Sequence, residues 1–186
     1  MGGTGEGRRG GARVKRAVFL DRDGVINEAP MRDGQPVAPA TFSELRVLPG
    51  VLKALEAMKK AGLMLIVATN QPDVAKGDTR RDEVEAMHDY MRGYLPLDDI
   101  KVCYHTDADG CACRKPKPGM LQEAAREYGI GLRQSFMVGD RWRDIGAGQA
   151  AGCRTVFVDR GYRQQKPDDP DYVVPSLAAA SRIILS

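Results

Sequence analysis

Five short runs in this chain are apolar at most positions: KRAVFLD (15–21), LMLIVATN (63–70), IKVCYH (100–105), QSFMVGD (134–140) and CRTVFVD (153–159). Stretches with helical spacing of apolar residues separate them, at 49–62, 79–95, 118–129 and 141–152, with a last one at 176–185. This pattern limits the fold more than any other feature. A strand with one wet face alternates apolar and polar residues, whereas a continuously apolar strand has to be covered on both sides. The helices at 49–62 and 118–129 each open on Pro and close on Gly, as helix ends favour. Strand and helix in alternation predict an α/β fold, a doubly wound, mostly parallel sheet with helices on both faces. In such sheets ligands sit beyond the carboxyl ends of strands. That rule selects Asp21, Thr69 with Asn70, and Asp140.

With 186 residues, 42% of them hydrophobic, the chain can bury one core and is too short for two ordinary domains. The formal charge of +3 is concentrated at one end: Arg8, Arg9, Arg13, Lys15 and Arg16 stand against Glu6 alone. Taking these five cations and one anion from totals of 28 and 25 leaves a nearly neutral body, which argues against a nucleic-acid surface. Residues 1–16 therefore read as a flexible, Gly-rich tail and 17–186 as a single domain. No apolar run reaches the roughly 18 residues of a membrane span, and the start lacks the apolar centre of a secretory signal, so a cytoplasmic protein is expected; a monomer is the expected state.

The stretch FLDRDGVIN (19–27) places Asp21 at a strand tip, Asp23 two residues on, and then Gly24. In isolation this would be a turn closed by carboxylates. With Asp140 at another strand tip it becomes a set of acids that needs a cation or separated pKa values. Carboxyl and carbonyl oxygens from Asp21, Asp23 and Asp140 suit Mg²⁺, which accepts phosphate oxygens as further ligands. Thr69, Asn70 and Gln71 offer a hydroxyl and two amides able to hold a phosphate. Lys115, followed by Pro116, could neutralise a transferring phosphoryl group.

A second group lies in CYHTDADGCACRKP, where Cys103, His105, Cys111 and Cys113 precede Arg114 and Lys115. Clustered thiols in a reducing compartment favour a metal over a disulfide, and four ligands with no open position fit structural Zn²⁺. A redox pair of Cys111 and Cys113 is the alternative, and it leaves Cys103 and His105 without a purpose. The fourth cysteine, Cys153, reads as a small buried hydrophobe. GAGQAAG (146–152) is superficially like a dinucleotide loop, but its glycines fall within a helix rather than directly after a strand, so close helix packing is the simpler reading.

Taken in order, Asp21-Arg22-Asp23-Gly24, Thr69-Asn70, Lys115 and Gly139-Asp140 with Asp144 resemble the four motifs of the haloacid dehalogenase (HAD) superfamily of phosphotransferases, over residues 17–159. The resemblance implies a HAD-like Rossmannoid phosphatase. Asp21 would be the nucleophile that forms an aspartyl-phosphate, and Asp23 the acid and then the base. Asp21, the Asp23 carbonyl and Asp140 would hold Mg²⁺, with Thr69 and Lys115 on the phosphoryl oxygens. The short segment between the first two motifs implies a minimal cap and an open site.

The cysteine loop is similar to that of the branch holding heptose 1,7-bisphosphate phosphatases and histidinol-phosphatases, which implies a bound zinc. Departures fall at the substrate end: Ala29-Pro30-Met31-Arg32 and, after Thr69-Asn70-Gln71, Pro72-Asp73 replace the branch's usual residues. Arg22, Arg32, Asn70, Gln71, Arg114 and Arg141 are the candidate substrate contacts. The expected substrate is a small phosphorylated sugar, foremost the 7-phosphate of a heptose bisphosphate. Histidinol phosphate and a non-catalytic phosphate-binding module are the alternatives.

Overall fold

The computed structural model describes residues 14–186. Positions 1–13 of the expected tail lie outside the described residues. The remainder of that tail does not behave as one: Lys15 bridges Ile130, donating its N–H to the Gly129 carbonyl (3.2 Å) and accepting from the Gly131 N–H (2.9 Å). An isolated bridge therefore precedes the first strand, which itself begins at Ala17, the expected boundary.

In chain order the elements are β1 (Ala17–Leu20), a hairpin of β2 (Met31–Arg32) and β3 (Gln35–Pro36), α1 (Val51–Lys60), β4 (Met64–Asn70) and a single turn α2 (Asp73–Lys76). They continue with α3 (Arg81–Tyr94), β5 (Asp99–Cys103), α4 (Gly119–Tyr128), β6 (Phe136–Gly139), α5 (Trp142–Ala151), β7 (Arg154–Val158), β8 (Tyr172–Val174) and α6 (Leu177–Leu185). Six strands form one parallel sheet in the order β5-β4-β1-β6-β7-β8. The chain winds outward from β1 to β5, then returns to β6 on the other side of β1. That reversal creates the crevice at which parallel sheets bind ligands.

Both faces of the sheet are covered, as the apolar runs require. Val18, Leu20, Leu65, Val67 and Val138 pack with Leu55 and Met58 of α1, Met87 of α3 and Leu177 of α6. On the opposite face Ala17, Phe19, Ile66 and Met137 meet Met120, Leu121 and Ala124 of α4. Each fully buried Val, Leu, Ile, Phe or Met among them contributes about 1.5–3 kcal/mol of transfer free energy, which holds the strand tips rigid. Gly148 explains the false dinucleotide loop. A Cβ there would lie 2.7 Å from the Met137 Cβ and 2.8 Å from the Thr155 Cγ2, so the glycine lets α5 sit directly on the sheet. Cys153 is buried just before β7, and burial pushes its thiol up to about 12.

Two features depart from expectation. The sheet gains β8 as an edge strand, a three-residue run between Pro170 and Pro175. The hairpin of β2 and β3 turns through Asp33 and Gly34, both at positive φ (50° and 73°), the conformation two-residue hairpin loops favour. Among the described residues no helix is long and apolar enough to cross a membrane.

Candidate active site

Asp21 follows β1 and Asp140 follows β6, so adjacent parallel strands present their carboxylates side by side; the Asp21 N–H donates to the Val138 carbonyl (2.9 Å). Asp144, in the first turn of α5, completes an acidic group whose oxygens lie within 4.8 Å of one another. Lys115 enters this group from the loop before α4. Its Nζ is 2.7 Å from the Asp21 Oδ1 and 2.5 Å from the Asp144 Oδ1, and donates to the Ala68 carbonyl (2.7 Å).

The backbone approaches these acids closely. Gly24 has φ +87°, and a Cβ on it would sit 1.9 Å from the Asp140 Oδ2; a Cβ on Gly139 would sit 2.0 Å from the Asp144 Cβ. Only glycine fits at either place.

One ammonium cannot balance three buried acids. Burial, then the Asp144 charge, push Asp21 up to about 6 against the pull of Lys115. Burial, then Asp21 and Asp144, hold Asp140 well above its ordinary value. Burial alone would lower the Lys115 ammonium, but Asp144 and Asp21 outweigh it and raise its pKa. Both Asp140 carboxylate oxygens are buried without a hydrogen-bond partner. Asp144 is by contrast occupied, by Lys115 at Oδ1 and by the Arg141 N–H at Oδ2 (2.9 Å). The unpartnered oxygens are thus those of Asp140, and together with the neighbouring Asp21 carboxylate they make an all-oxygen set that fits a hard divalent cation.

Asp23 sits in an opposite environment. Arg22 forks onto it (Nε to Oδ1 3.1 Å, Nη2 to Oδ2 3.2 Å), Asn27 donates at 2.9 Å and Gln71 at 2.8 Å. Burial would raise its pKa, but the Arg22 charge and these hydrogen bonds prevail and lower it. Behind Arg22 stands His88 of α3, fully buried, with Nε2 at 3.1 Å from the Arg22 Nη1. Burial and then the Arg22 charge bring His88 down to about 4, so the ring is neutral at pH 7 and its Nε2 accepts from the guanidinium.

The cysteine loop forms a compact knuckle. Sulfur to sulfur distances are 3.2 Å (Cys103 to Cys113), 3.4 Å (Cys111 to Cys113) and 3.7 Å (Cys103 to Cys111), and the His105 Nδ1 lies 3.7 Å from Cys103 and 3.4 Å from Cys113. A tetrahedron with metal to sulfur bonds of about 2.3 Å has edges near 3.8 Å, so the four ligands stand close to the positions zinc requires. No disulfide joins them. Burial and hydrogen bonding from Cys113 push Cys103 up to about 12. Burial opposes ionisation of Cys111 too, but Cys113 and the Arg114 backbone bring that thiol down to about 7. Without a cation the thiols cannot all ionise together.

A family model described as HAD-hydrolase-like matches residues 112–180. The D-glycero-beta-D-manno-heptose-1,7-bisphosphate 7-phosphatase of Pasteurella multocida is 34% identical over 186 aligned residues, covering 92% of this chain and 97% of the relative. The enzyme of that name from Rhodopseudomonas palustris is 37% identical over 91% of this chain and 94% of its own length. Among solved structures, the D,D-heptose 1.7-bisphosphate phosphatase of B. bronchiseptica, complexed with magnesium and phosphate, superposes with a TM-score of 0.80 at 34% identity, covering 91% of this chain and 98% of the other. The chain belongs to this family of HAD-like phosphatases.

In this phosphatase a cavity of about 580 Å³ opens above the acids. Of the expected site residues, Asp21, Asp23, Asn70, Arg114, Lys115 and Arg141 line it. Thr69 is buried at the β4 tip, its Oγ1 accepting from Gln71 (2.9 Å), and Asn70 clasps the Lys115 backbone at both N–H and carbonyl (3.1 Å each). Three expected substrate contacts stand elsewhere. Arg22 is completely buried and committed to Asp23 and His88. Gln71 is buried and holds Asp23 and Thr69. Arg32 lies exposed on the hairpin, paired with Glu44 (2.6 Å), and is not part of the cavity wall. The hairpin contributes Gln35–Ala38 to that wall instead, tied down by Gln164 on Gln35 (2.7 Å) and by Arg141 on the Pro36 carbonyl (2.9 Å). Lys76, Arg143 and Arg163 also face the cavity, and the sequence reading selected none of them.

Proposed function

We propose that this phosphatase removes the 7-phosphate of D-glycero-β-D-manno-heptose 1,7-bisphosphate, the substrate named for its relatives. The observation that carries this reading is the wall of the cavity: Lys76, Arg114, Arg141, Arg143 and Arg163 surround a floor formed by Asp21, Asp23 and Asp144. A substrate with an anionic group at each end satisfies both regions. Histidinol phosphate would bring a cationic amine to the cations, and the single acid beyond the motif residues, Asp73, is already paired with Lys76 (3.0 Å).

In this reading Asp23, ionised in the free enzyme, takes a proton from the monoanionic phosphate of the entering substrate; the Asp21 carboxylate attacks phosphorus while the bond to the sugar oxygen breaks, and that oxygen takes the proton from Asp23. Asp23, now a carboxylate, removes a proton from water. The resulting hydroxide attacks the aspartyl-phosphate, releasing inorganic phosphate and restoring both acids. Gln71, Asn27 and Arg22 hold Asp23 in place for both halves, and their bonds favour its ionised form. Lys115 holds Asp21 in line and carries positive charge next to the transferring group. Asp21, Asp140 and the Asp23 carbonyl would hold Mg²⁺, which when bound lowers the carboxylate pKa values and offsets charge on the phosphoryl oxygens.

Cys103, His105, Cys111 and Cys113 would hold Zn²⁺ as a closed structural site that fixes the backbone presenting Arg114 and Lys115. A reducing cytoplasm suits those thiols, and the described site is complete within one chain, as a monomer requires. The test is a turnover comparison of heptose, hexose and amino-alcohol phosphates. The heptose bisphosphate should show the highest kcat/KM, and equal efficiency with histidinol phosphate would reject the assignment.

A further inference from the structure

Two of the cations around the cavity are bound to one acid. Asp107 lies in the knuckle between His105 and Cys111. Its Oδ1 accepts from the Arg114 Nε (2.8 Å) and the Arg143 Nη1 (3.0 Å), and its Oδ2 accepts from the Arg143 Nη2 (3.2 Å). Each guanidinium is fixed again from behind. Arg114 donates Nη1 to the His105 carbonyl (3.1 Å), while Arg143 stacks over the Trp142 ring (4.8 Å) and donates to the Lys115 carbonyl (3.4 Å). Their side chains are only 13% and 32% exposed, so neither is a free surface arginine.

One carboxylate between two guanidiniums leaves about one positive charge at the mouth. The Arg114 Nη2 and the Arg143 Nε are not used by any of these contacts, and both residues line the cavity. An anion with several acceptor oxygens would complete the arrangement, and phosphate geometry suits paired guanidiniums.

We propose that Arg143 is a specificity-determining residue, forming with Arg114 a two-arginine clamp, held in register by Asp107, for the second phosphate of a sugar bisphosphate. This rests on the bisphosphate reading above. Asp107 acts as a positioning residue: it keeps two like charges together in the free enzyme, and it ties the first turn of α5 to the knuckle. The clamp and the transferring phosphoryl group are then set by neighbouring residues, since Arg114 directly precedes Lys115.

The alternative role for Arg143 is to fasten the loop. A fastener lost would weaken zinc retention and slow every substrate alike. A clamp lost would raise KM for the bisphosphate selectively. The experiment measures kcat/KM of the zinc- and magnesium-loaded enzyme for a sugar 1,7-bisphosphate and the matching 7-monophosphate, with zinc content, for wild type, Arg143→Gln, Arg114→Ala and the double variant. Losing a charge-assisted contact should cut the preference for the bisphosphate about 10- to 100-fold in either single variant, through KM. The double variant should lose less than the product of the two, because both residues serve one phosphate. Should Arg143→Gln fail to fold, Arg143→Lys, with the charge but not the fork, should show a smaller loss of preference.

A full preference retained in Arg143→Gln, with Arg114→Ala impaired, would overturn the assignment of Arg143 and leave the substrate reading intact. Equal losses on both substrates together with zinc loss would also overturn it, in favour of the fastener. A wild type without any preference for the bisphosphate would overturn both readings.

Discussion

The carboxylate centre and the cysteine knuckle each gather groups that could hold a metal ion, and they obtain their shape in different ways. Asp21 and Asp140 stand at the tips of β1 and β6, where the positions of Val18, Phe19, Met137 and Val138 in the core dictate where the acids point. Their arrangement opposes their own electrostatics, as the raised pKa values of both acids record. The knuckle is anchored in the core at Cys103, the last residue of β5, while Cys111 and Cys113 are only partly buried against it. Between its ligands lie Thr106, Asp107, Ala108, Asp109 and Gly110, and His105 is exposed. The fold therefore sets the first site with little help from a cation, whereas the exposed part of the second loop, from His105 to Cys113, would gain rigidity from a bound metal. Removing cation should leave the centre in place and loosen the knuckle.

The strongest test of that contrast is Asp21→Asn. Turnover should fall on the order of 10⁴-fold or more, because an amide is not an effective nucleophile. Stability should move the other way. In the metal-free fold Asp21 titrates near 6, against 3.8 for the ordinary group. Between those values the folded state binds the extra proton, so stability falls as pH rises through the window, and the cost is complete above pH 6. Asparagine removes that cost, so the metal-free variant should melt a few degrees above the metal-free wild type at pH 7. A lower melting point would show that the acids are not strained by the fold.

A smaller effect is expected at the knuckle. Cys111→Ser should lose zinc, measured by metal analysis, and lower kcat/KM by roughly a hundredfold, the scale of a misplacement of about 1 Å. Added Mg²⁺ should not restore the rate. Full activity without zinc would show that the loop holds Arg114 and Lys115 unaided.

The smallest effect concerns His88, which links the centre to α3. Its folded pKa of about 4 lies below its ordinary 6.5, so on acidification the unfolded chain takes up the proton first. Stability should fall as pH drops from about 6.5 to about 4, by at most ~3 kcal/mol, with no contribution at pH 7. His88→Gln keeps an acceptor for Arg22 and cannot titrate, so denaturant unfolding at pH 7 and pH 4.5 should show a smaller acid loss than in wild type. Equal losses would place the acid sensitivity elsewhere.

The residues legible in the sequence were those whose type and place in a motif single them out, and the fold does bring them together: Asp21, Asp140 and Lys115 in one group, Cys103, His105, Cys111 and Cys113 in another. What sequence spacing does not convey is where a side chain turns once its backbone is fixed. Arg22 and Gln71 look like substrate contacts because they adjoin the acids, yet both turn inward to hold Asp23. Arg143 is one arginine among several until Asp107 selects it. The hairpin did leave a signal, Asp33-Gly34 between short extended runs, whereas β8 is too short and too closely flanked by proline to read as a strand. Helix ends shifted by one or two residues, which moved no site residue.

Gly24 has a consequence for engineering. In a saturation library scored for activity, position 24 should tolerate no replacement, alanine included, although it has no side chain to lose. The methyl group would occupy the space of an Asp140 oxygen on a backbone that already disfavours any L residue. Efforts to widen the range of accepted sugars therefore have little room in the 21–24 loop. The wall segments at 35–38 and 163–165, which border the cavity without touching Asp21, are where diversity can be introduced while the reacting groups stay fixed.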